Sequence, residues 1–135
     1  MIERILFIFG LFFGSFLGVV VDRLTKGGSI FFGRSHCDKC KKELGIKDLI
    51  PLISFIILSG KCRYCKTKLS ISYPLIELST GIIFSLIFYL FKSESLITLF
   101  YYYIVVSGFI VVFFTDLKYG VIPDKIVMPL SLLSV

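Results

Sequence analysis

Four cysteines and a few carboxylates are the residues of this chain whose types and spacing could do chemistry. The cysteines form two Cys-x-x-Cys knuckles, Cys37-Asp38-Lys39-Cys40 and Cys62-Arg63-Tyr64-Cys65, with twenty-one residues between them. Such spacing can close four thiolates tetrahedrally around one ion, and zinc accepts that arrangement with no preference imposed by d-electrons. The expectation is one zinc per chain, held by Cys37, Cys40, Cys62 and Cys65 at about 2.3 Å each. Two disulfides are the competing reading, and they would need an oxidising compartment. A four-thiolate site is coordinatively closed, so it folds a loop and leaves catalysis to other residues. His36 adjoins the first knuckle, but with four cysteines at hand it reads as a neighbour and not as a fifth ligand.

Among the carboxylates, Glu77 stands near the start of an apolar run, where its charge is costly. It is either functional or reaching back to interfacial water and the basic loop. Asp116 and Asp124 lie either side of Gly120 and Pro123, which interrupt a helix, so the two acids are expected around a turn. Two carboxylates at an apolar boundary can together activate a water when one is protonated and the other ionised. On the local pattern alone the commoner case is a pair of solvated or helix-capping acids. Asp22 is a further acid at the same kind of boundary.

These residues need elements to position them, and the composition says which kind. The chain has 135 residues, 56% of them hydrophobic, with fifteen Phe and no Trp. That is too apolar for an ordinary soluble domain and reads as a small membrane protein. Ile5 to Val21 is an uncharged run of seventeen residues, just long enough to span, and is read as a retained helix instead of a signal peptide. Gly10, Gly14 and Gly18 recur along one face of it, so another helix is expected to approach closely there. Further spans are expected from Leu75 to Phe91, started by Ser72-Tyr73-Pro74, and from Leu96 to Thr115. The apolar stretch Leu49 to Leu58 is too short to cross and is interrupted by Pro51, so it lies on the membrane surface or fills the core of the cysteine loop. From Ile126 to Val135 the chain begins another apolar run of about half a crossing.

Eleven of the fifteen Lys and Arg fall between Arg23 and Ser72, against Asp38, Glu43 and Asp48. By the positive-inside rule that segment faces the cytoplasm, and the orientation explains the basic charge better than nucleic acid does, for which no motif is present. The expected architecture is an all-α membrane protein with three transmembrane helices plus the start of a fourth and a cytosolic four-cysteine zinc-binding loop module. Its parts are a first helix over 1–22, the loop module over 23–74 and the start of a membrane domain over 75–135.

With these residues assembled, the chain resembles the bacterial type IV prepilin leader peptidases, aspartic membrane proteases of the bacterial cytoplasmic membrane. The matches run in order: Gly14-Ser15-Phe16-Leu17, Arg34-Ser35-His36-Cys37, Asp48-Leu49-Ile50-Pro51, Gly60-Lys61-Cys62-Arg63-Tyr64-Cys65, Tyr73-Pro74-Leu75-Ile76-Glu77-Leu78, and Asp116 through Pro123-Asp124. The resemblance implies that Asp116 is one of two catalytic carboxylates, with Glu77 and Asp124 as supporting acids, and that the substrates are type IV prepilins or pseudopilins. It also implies N-methylation of the new amino terminus with S-adenosylmethionine, an activity associated with Gly60 and Lys61. Two departures stand out. Gly18 replaces the family's usual Asn, and the Gly-x-Gly-Asp motif that carries the second catalytic Asp is not found in these 135 residues. The chain is therefore expected to be inactive by itself and to need C-terminal spans or a companion chain. The alternative is a truncated, non-catalytic membrane protein whose zinc module binds a pilus or secretion partner.

Overall fold

The computed structural model describes residues 1–29 and 32–133. Five α-helices follow in order: α1 (Ile2–Lys26), α2 (Ile53–Ile57), α3 (Ser72–Phe91), α4 (Leu96–Tyr119) and α5 (Asp124–Leu133), with a 3-10 turn at Ile46–Leu49. Among the described residues there is no strand, only isolated bridges at His36–Glu43 and Lys61–Lys68. Three helices, α1, α3 and α4, are long and apolar enough to cross a membrane, which agrees with the expected all-helical architecture. Of the expected fourth run, α5 covers the part up to Leu133, and residues 134 and 135 lie outside the described residues.

The helix ends differ from the apolar runs in an instructive way. α1 continues past Val21 through Asp22 and Arg23 to Lys26, and α4 continues past Thr115 to Tyr119. A backbone hydrogen-bond ladder does not stop where hydrocarbon stops; it stops where a residue can reverse the chain. Gly27 (φ 80) does so for α1. Gly120 does so for α4, with a left-handed φ of 64 and its N–H donated to the Asp116 carbonyl at 2.7 Å. α4 is opened by Ser95, whose side chain accepts from the Thr98 N–H at 3.2 Å. α3 begins at Ser72 with Pro74 in its first turn, where a missing N–H costs nothing.

α1 and α3 run antiparallel with a register of one turn per contact. A Cβ on Gly10 would come within 2.7 Å of the Gly81 Cα, one on Gly14 within 2.7 Å of the Glu77 Cα, and one on Gly18 within 3.4 Å of the Tyr73 ring. The glycine face expected from the sequence is therefore this seam, with Gly81 answering from α3. Leu17, Val20, Val21, Ile76, Ile110, Val111 and Phe114 form the core between α1, α3 and α4. The buried Thr80 and Thr115 hydroxyls donate back to the Ile76 and Val111 carbonyls, each at 2.6 Å, so no hydroxyl is orphaned there.

Candidate metal centre and the carboxylates at the helix ends

Each cysteine knuckle is folded by its own backbone. In the first, the Cys37 N–H donates to the Lys42 carbonyl at 3.0 Å, the Lys41 N–H to the Cys37 carbonyl at 2.9 Å and the Leu44 N–H to the Ser35 carbonyl at 2.8 Å. In the second, the same three bonds run from Cys62 to Thr67 at 2.8 Å, from Lys66 to Cys62 at 3.1 Å and from Leu69 to Gly60 at 2.7 Å. The residue after each second cysteine is left-handed, Lys41 with φ 58 and Lys66 with φ 57. Twenty-five residues separate the two copies, and the pattern Cys-x-x-Cys-Lys-x-x-Leu is common to both.

The two knuckles bring all four cysteine sulfurs within 4.8 Å of one another, with Cys37 Sγ 3.7 Å from Cys65 Sγ. Four sulfurs at about 2.3 Å around a tetrahedral ion lie about 3.8 Å apart, so the donors present fit such an ion. No cysteine is in a disulfide. Without a metal the thiols compete for protons. Hydrogen bonding with the Thr67 side chain and backbone holds the Cys65 thiol down to about 6. At Cys40 the strongest single influence, the Lys42 amide, lowers the value, but burial and the three neighbouring thiols together outweigh it and push it up to about 11. His36 is exposed, its Nδ1 3.4 Å from the Arg34 carbonyl, and takes no place in the cluster.

The module is tied to the helices by specific polar contacts. Arg23 donates to the carbonyls of Ser29, of Phe32 at 2.9 Å and of Gly33 at 3.0 Å, fixing the start of the loop. Arg63 of the second knuckle meets the buried Asp48 side chain at 2.7 Å, and Asp48 also accepts the Gly45 N–H at 3.1 Å. Lys26 of α1 pairs with Asp38 at 2.7 Å, an exposed bridge that contributes little. Gly60 is left-handed (φ 67), and a Cβ there would come within 3.0 Å of the Phe55 ring, so packing alone explains glycine at this position. Lys61 is exposed.

At the end of the bundle nearest the module, Asp22 gathers three helices. It accepts from Lys118 Nζ at 2.6 Å and the Tyr119 hydroxyl at 2.7 Å, both of α4, and from the Tyr73 hydroxyl of α3. Lys118 Nζ also lies 4.2 Å from the Tyr73 ring centre. This cluster was missed in the sequence because Asp22 is 51 to 97 residues from its partners; the only signal was Asp22 at the end of the first apolar run. Glu77 is buried in α3, and its Oε2 accepts the Leu52 N–H at 2.8 Å. Asp116 lies exposed in the last turn of α4 and Asp124 exposed at the first residue of α5. The two flank a left-handed Gly120, as the sequence led one to expect. Among the described residues no ion pair involves either.

Between the module and the helix ends lies a cleft of about 1010 Å³, whose walls include Val19, Asp22, Phe55, Tyr73, Glu77 and Lys118; Asp116 and Asp124 are not among its lining residues. The cleft has cationic, acidic and apolar walls at once, which suits a ligand with both charged and apolar parts.

Comparison with known proteins places these features together. No solved structure matches the chain. Among curated proteins it is 35% identical over 131 residues to a prepilin leader peptidase/N-methyltransferase of Klebsiella pneumoniae, covering 93% of this chain and 57% of that one. It is 36% identical over 124 residues to the protein of the same name from Bacillus subtilis (92% and 49%), and 35% identical over 137 residues to that of Vibrio cholerae (94% and 53%). The chain thus spans about half the length of these relatives. The family described as Bacterial Peptidase A24 N-terminal domain matches residues 8–91, from the glycine face of α1 through both knuckles to the end of α3, and the chain belongs to that family.

Proposed function

We propose that this chain is part of a prepilin leader peptidase that cleaves basic leader peptides of type IV prepilins or pseudopilins at the cytosolic face of a bacterial membrane. Asp116 supplies one carboxylate of an aspartic pair. The observation that carries this reading is spatial. Asp116 stands in the last turn of α4, the same end of the bundle at which Asp22, Tyr73 and the four-cysteine module meet, in a chain whose family match covers residues 8–91. One protonated and one ionised carboxylate within reach of a shared water would act as general acid and general base. The described acids offer no second member. Asp22 is committed to Lys118, and Glu77 to the Leu52 amide. Asp124 begins α5, exposed. The partner carboxylate is therefore assigned to sequence outside these 135 residues.

In this reading the cysteines hold one structural zinc, and residues 1–22, 23–74 and 75–135 act as first helix, cytosolic module and membrane domain. N-methylation with S-adenosylmethionine belongs to it through Gly60 and Lys61 by resemblance. The relatives' printed names support both activities for those proteins. The deciding experiment is leader cleavage of a prepilin in lipid by the chain supplied with the proposed C-terminal spans or companion chain, with and without Asp116→Asn. Loss of cleavage with an unchanged metal content is expected; undiminished cleavage would remove Asp116 from the pair.

One observation favours a second reading, a non-catalytic membrane protein whose module binds a pilus or secretion partner. Asp116 is exposed and outside the cleft. Under that reading Asp116→Asn leaves the cellular effect intact, whereas loss of the module abolishes it.

A further inference from the structure

The stretch Leu49–Leu58 reaches α3, where Leu52 meets Glu77. Through the α1–α3 register Glu77 lies opposite Gly14, in the middle of the uncharged run Ile5–Val21. Gly14 is seven residues, roughly 10 Å, inward of Val21 and the charges that follow it. Because Glu77 Oε2 accepts the Leu52 N–H at 2.8 Å, the backbone of Leu52 lies within reach of the Glu77 side chain from that level, on the side toward the start of α3. Pro51 before it is buried, and Leu52 itself is left-handed (φ 58), which reverses the chain at this point. α2 then leads back towards Cys62.

The two faces of α2 have different surroundings. Ser54, Phe55 and Leu58 line the cleft. Ile53, Ile56 and Ile57, spaced to share the other face, are 54%, 74% and 72% exposed. Burying one such side chain is worth about 1.5–3 kcal/mol, so three left in water would be a large forfeit. On α3 the outward residues next to Glu77 in level, Leu75 and Leu78, are exposed too and continue the same apolar belt. Backbone at membrane depth persists only where its polar groups are satisfied within the protein. Here they are. Leu52 N–H meets Glu77, and the N–H groups of Ser54, Ile56 and Leu58 meet the carbonyls of Ile50, Leu52 and Ser54 at 3.0–3.1 Å.

We propose that residues 49–58 form a re-entrant segment dipping into the bilayer, with Ile53, Ile56 and Ile57 packed against lipid acyl chains and Glu77 holding its turn. A ten-residue apolar stretch is the right length for such a segment and too short for a crossing. The proposal stands whether or not the protein cleaves prepilins.

The chain has no Trp, so a single introduced indole reports alone. The variants Ile53→Trp, Ile56→Trp and, at the exposed second knuckle, Tyr64→Trp are placed in phosphatidylcholine vesicles whose acyl chains are brominated. Bromine is expected to quench the two α2 variants several-fold more than the knuckle variant, and aqueous acrylamide to show the reverse order. Equal acrylamide quenching in all three variants would overturn the proposal. So would shielding of both α2 variants from both quenchers, which would mean that a protein surface covers α2. In the Ile53→Trp background, Glu77→Gln keeps an acceptor for the Leu52 amide and should preserve bromine quenching, while Glu77→Leu should reduce it. Identical quenching in both would remove Glu77 from the role of anchor.

Discussion

In the cysteine module the chain is held by groups that side chains supply; in the seam between α1 and α3 it is held by side chains that are missing. The module has few buried apolar residues, and its fold depends on two hydrogen-bonded knuckles, the Asp48–Arg63 pair and four sulfurs placed for one ion. The seam works because Gly10, Gly14 and Gly81 let two backbones approach to contact. Membrane helices gain little from hydrophobic burial against each other, since lipid is equally apolar, so close packing carries the association. A loop of about fifty residues in water cannot build a sufficient core and needs a staple. The same chain therefore uses two separate kinds of adhesion on the two sides of the boundary marked by Asp22.

The largest expected effect tests that separation. With the proposed zinc in place, its removal by a chelator, or Cys62→Ser, should unfold the module, because structural zinc contributes about 10–16 kcal/mol in comparable small sites. Limited proteolysis should then cut within residues 32–70 while the far-ultraviolet helical signal persists. Collapse of both together would show that the regions are not independent. Next in size is Asp22→Ala, which leaves the Lys118 cation without its partner. Both side chains keep some exposure, 15% for Lys118 and 17% for Asp22, so the loss should fall near the low end for a broken buried pair, about 3 kcal/mol. Detergent-titrated unfolding would measure it, and Lys118→Met in the same background should restore part of the loss.

Gly14→Ala probes the seam alone. Its new Cβ would come within 2.7 Å of the Glu77 backbone, which cannot swing aside, so the helices must part, at about 1–3 kcal/mol. Metal content should stay at one per chain. The smallest effect sharpens the likeness of the two knuckles. Lys41→Gly and Lys66→Gly relieve left-handed backbone and should each stabilise the metal-loaded module by about 0.5–1 kcal/mol. A gain at one site and a loss at the other would show that the copies are alike only in outline.

How far the sequence could be read follows the same division. The knuckles were legible because metal-ligand spacing is local, and so were the three spans and the glycine face, which depend on run length and period. The proline start of α3 and the turn between Asp116 and Asp124 came from residues with fixed backbone preferences. What was not legible depends on distant pairing. Asp22 finds Lys118 across 96 residues, and nothing near either one announces the other. The ends of α1 and α4 were placed too early because they were set by where charge begins, whereas the ladder runs on to the next left-handed glycine. For Leu49–Leu58 the alternatives were surface and module core; the proposed re-entrant dip rests on the Glu77–Leu52 contact, a pairing across 25 residues.

The α1–α3 register has a consequence for height. The contacts Gly10–Gly81, Gly14–Glu77 and Gly18–Tyr73 fall at one-turn intervals, like graduations on a ruler. Sliding α1 by one turn, about 5.4 Å, would withdraw Asp22 from its tyrosines and lysine all at once. Intermediate positions are no better, since the narrow faces would no longer coincide. The missing side chains of the seam thus act as a gauge: they fix the level at which Asp22 of α1 meets Tyr73 of α3 and, through Lys118 and Tyr119, the last turn of α4.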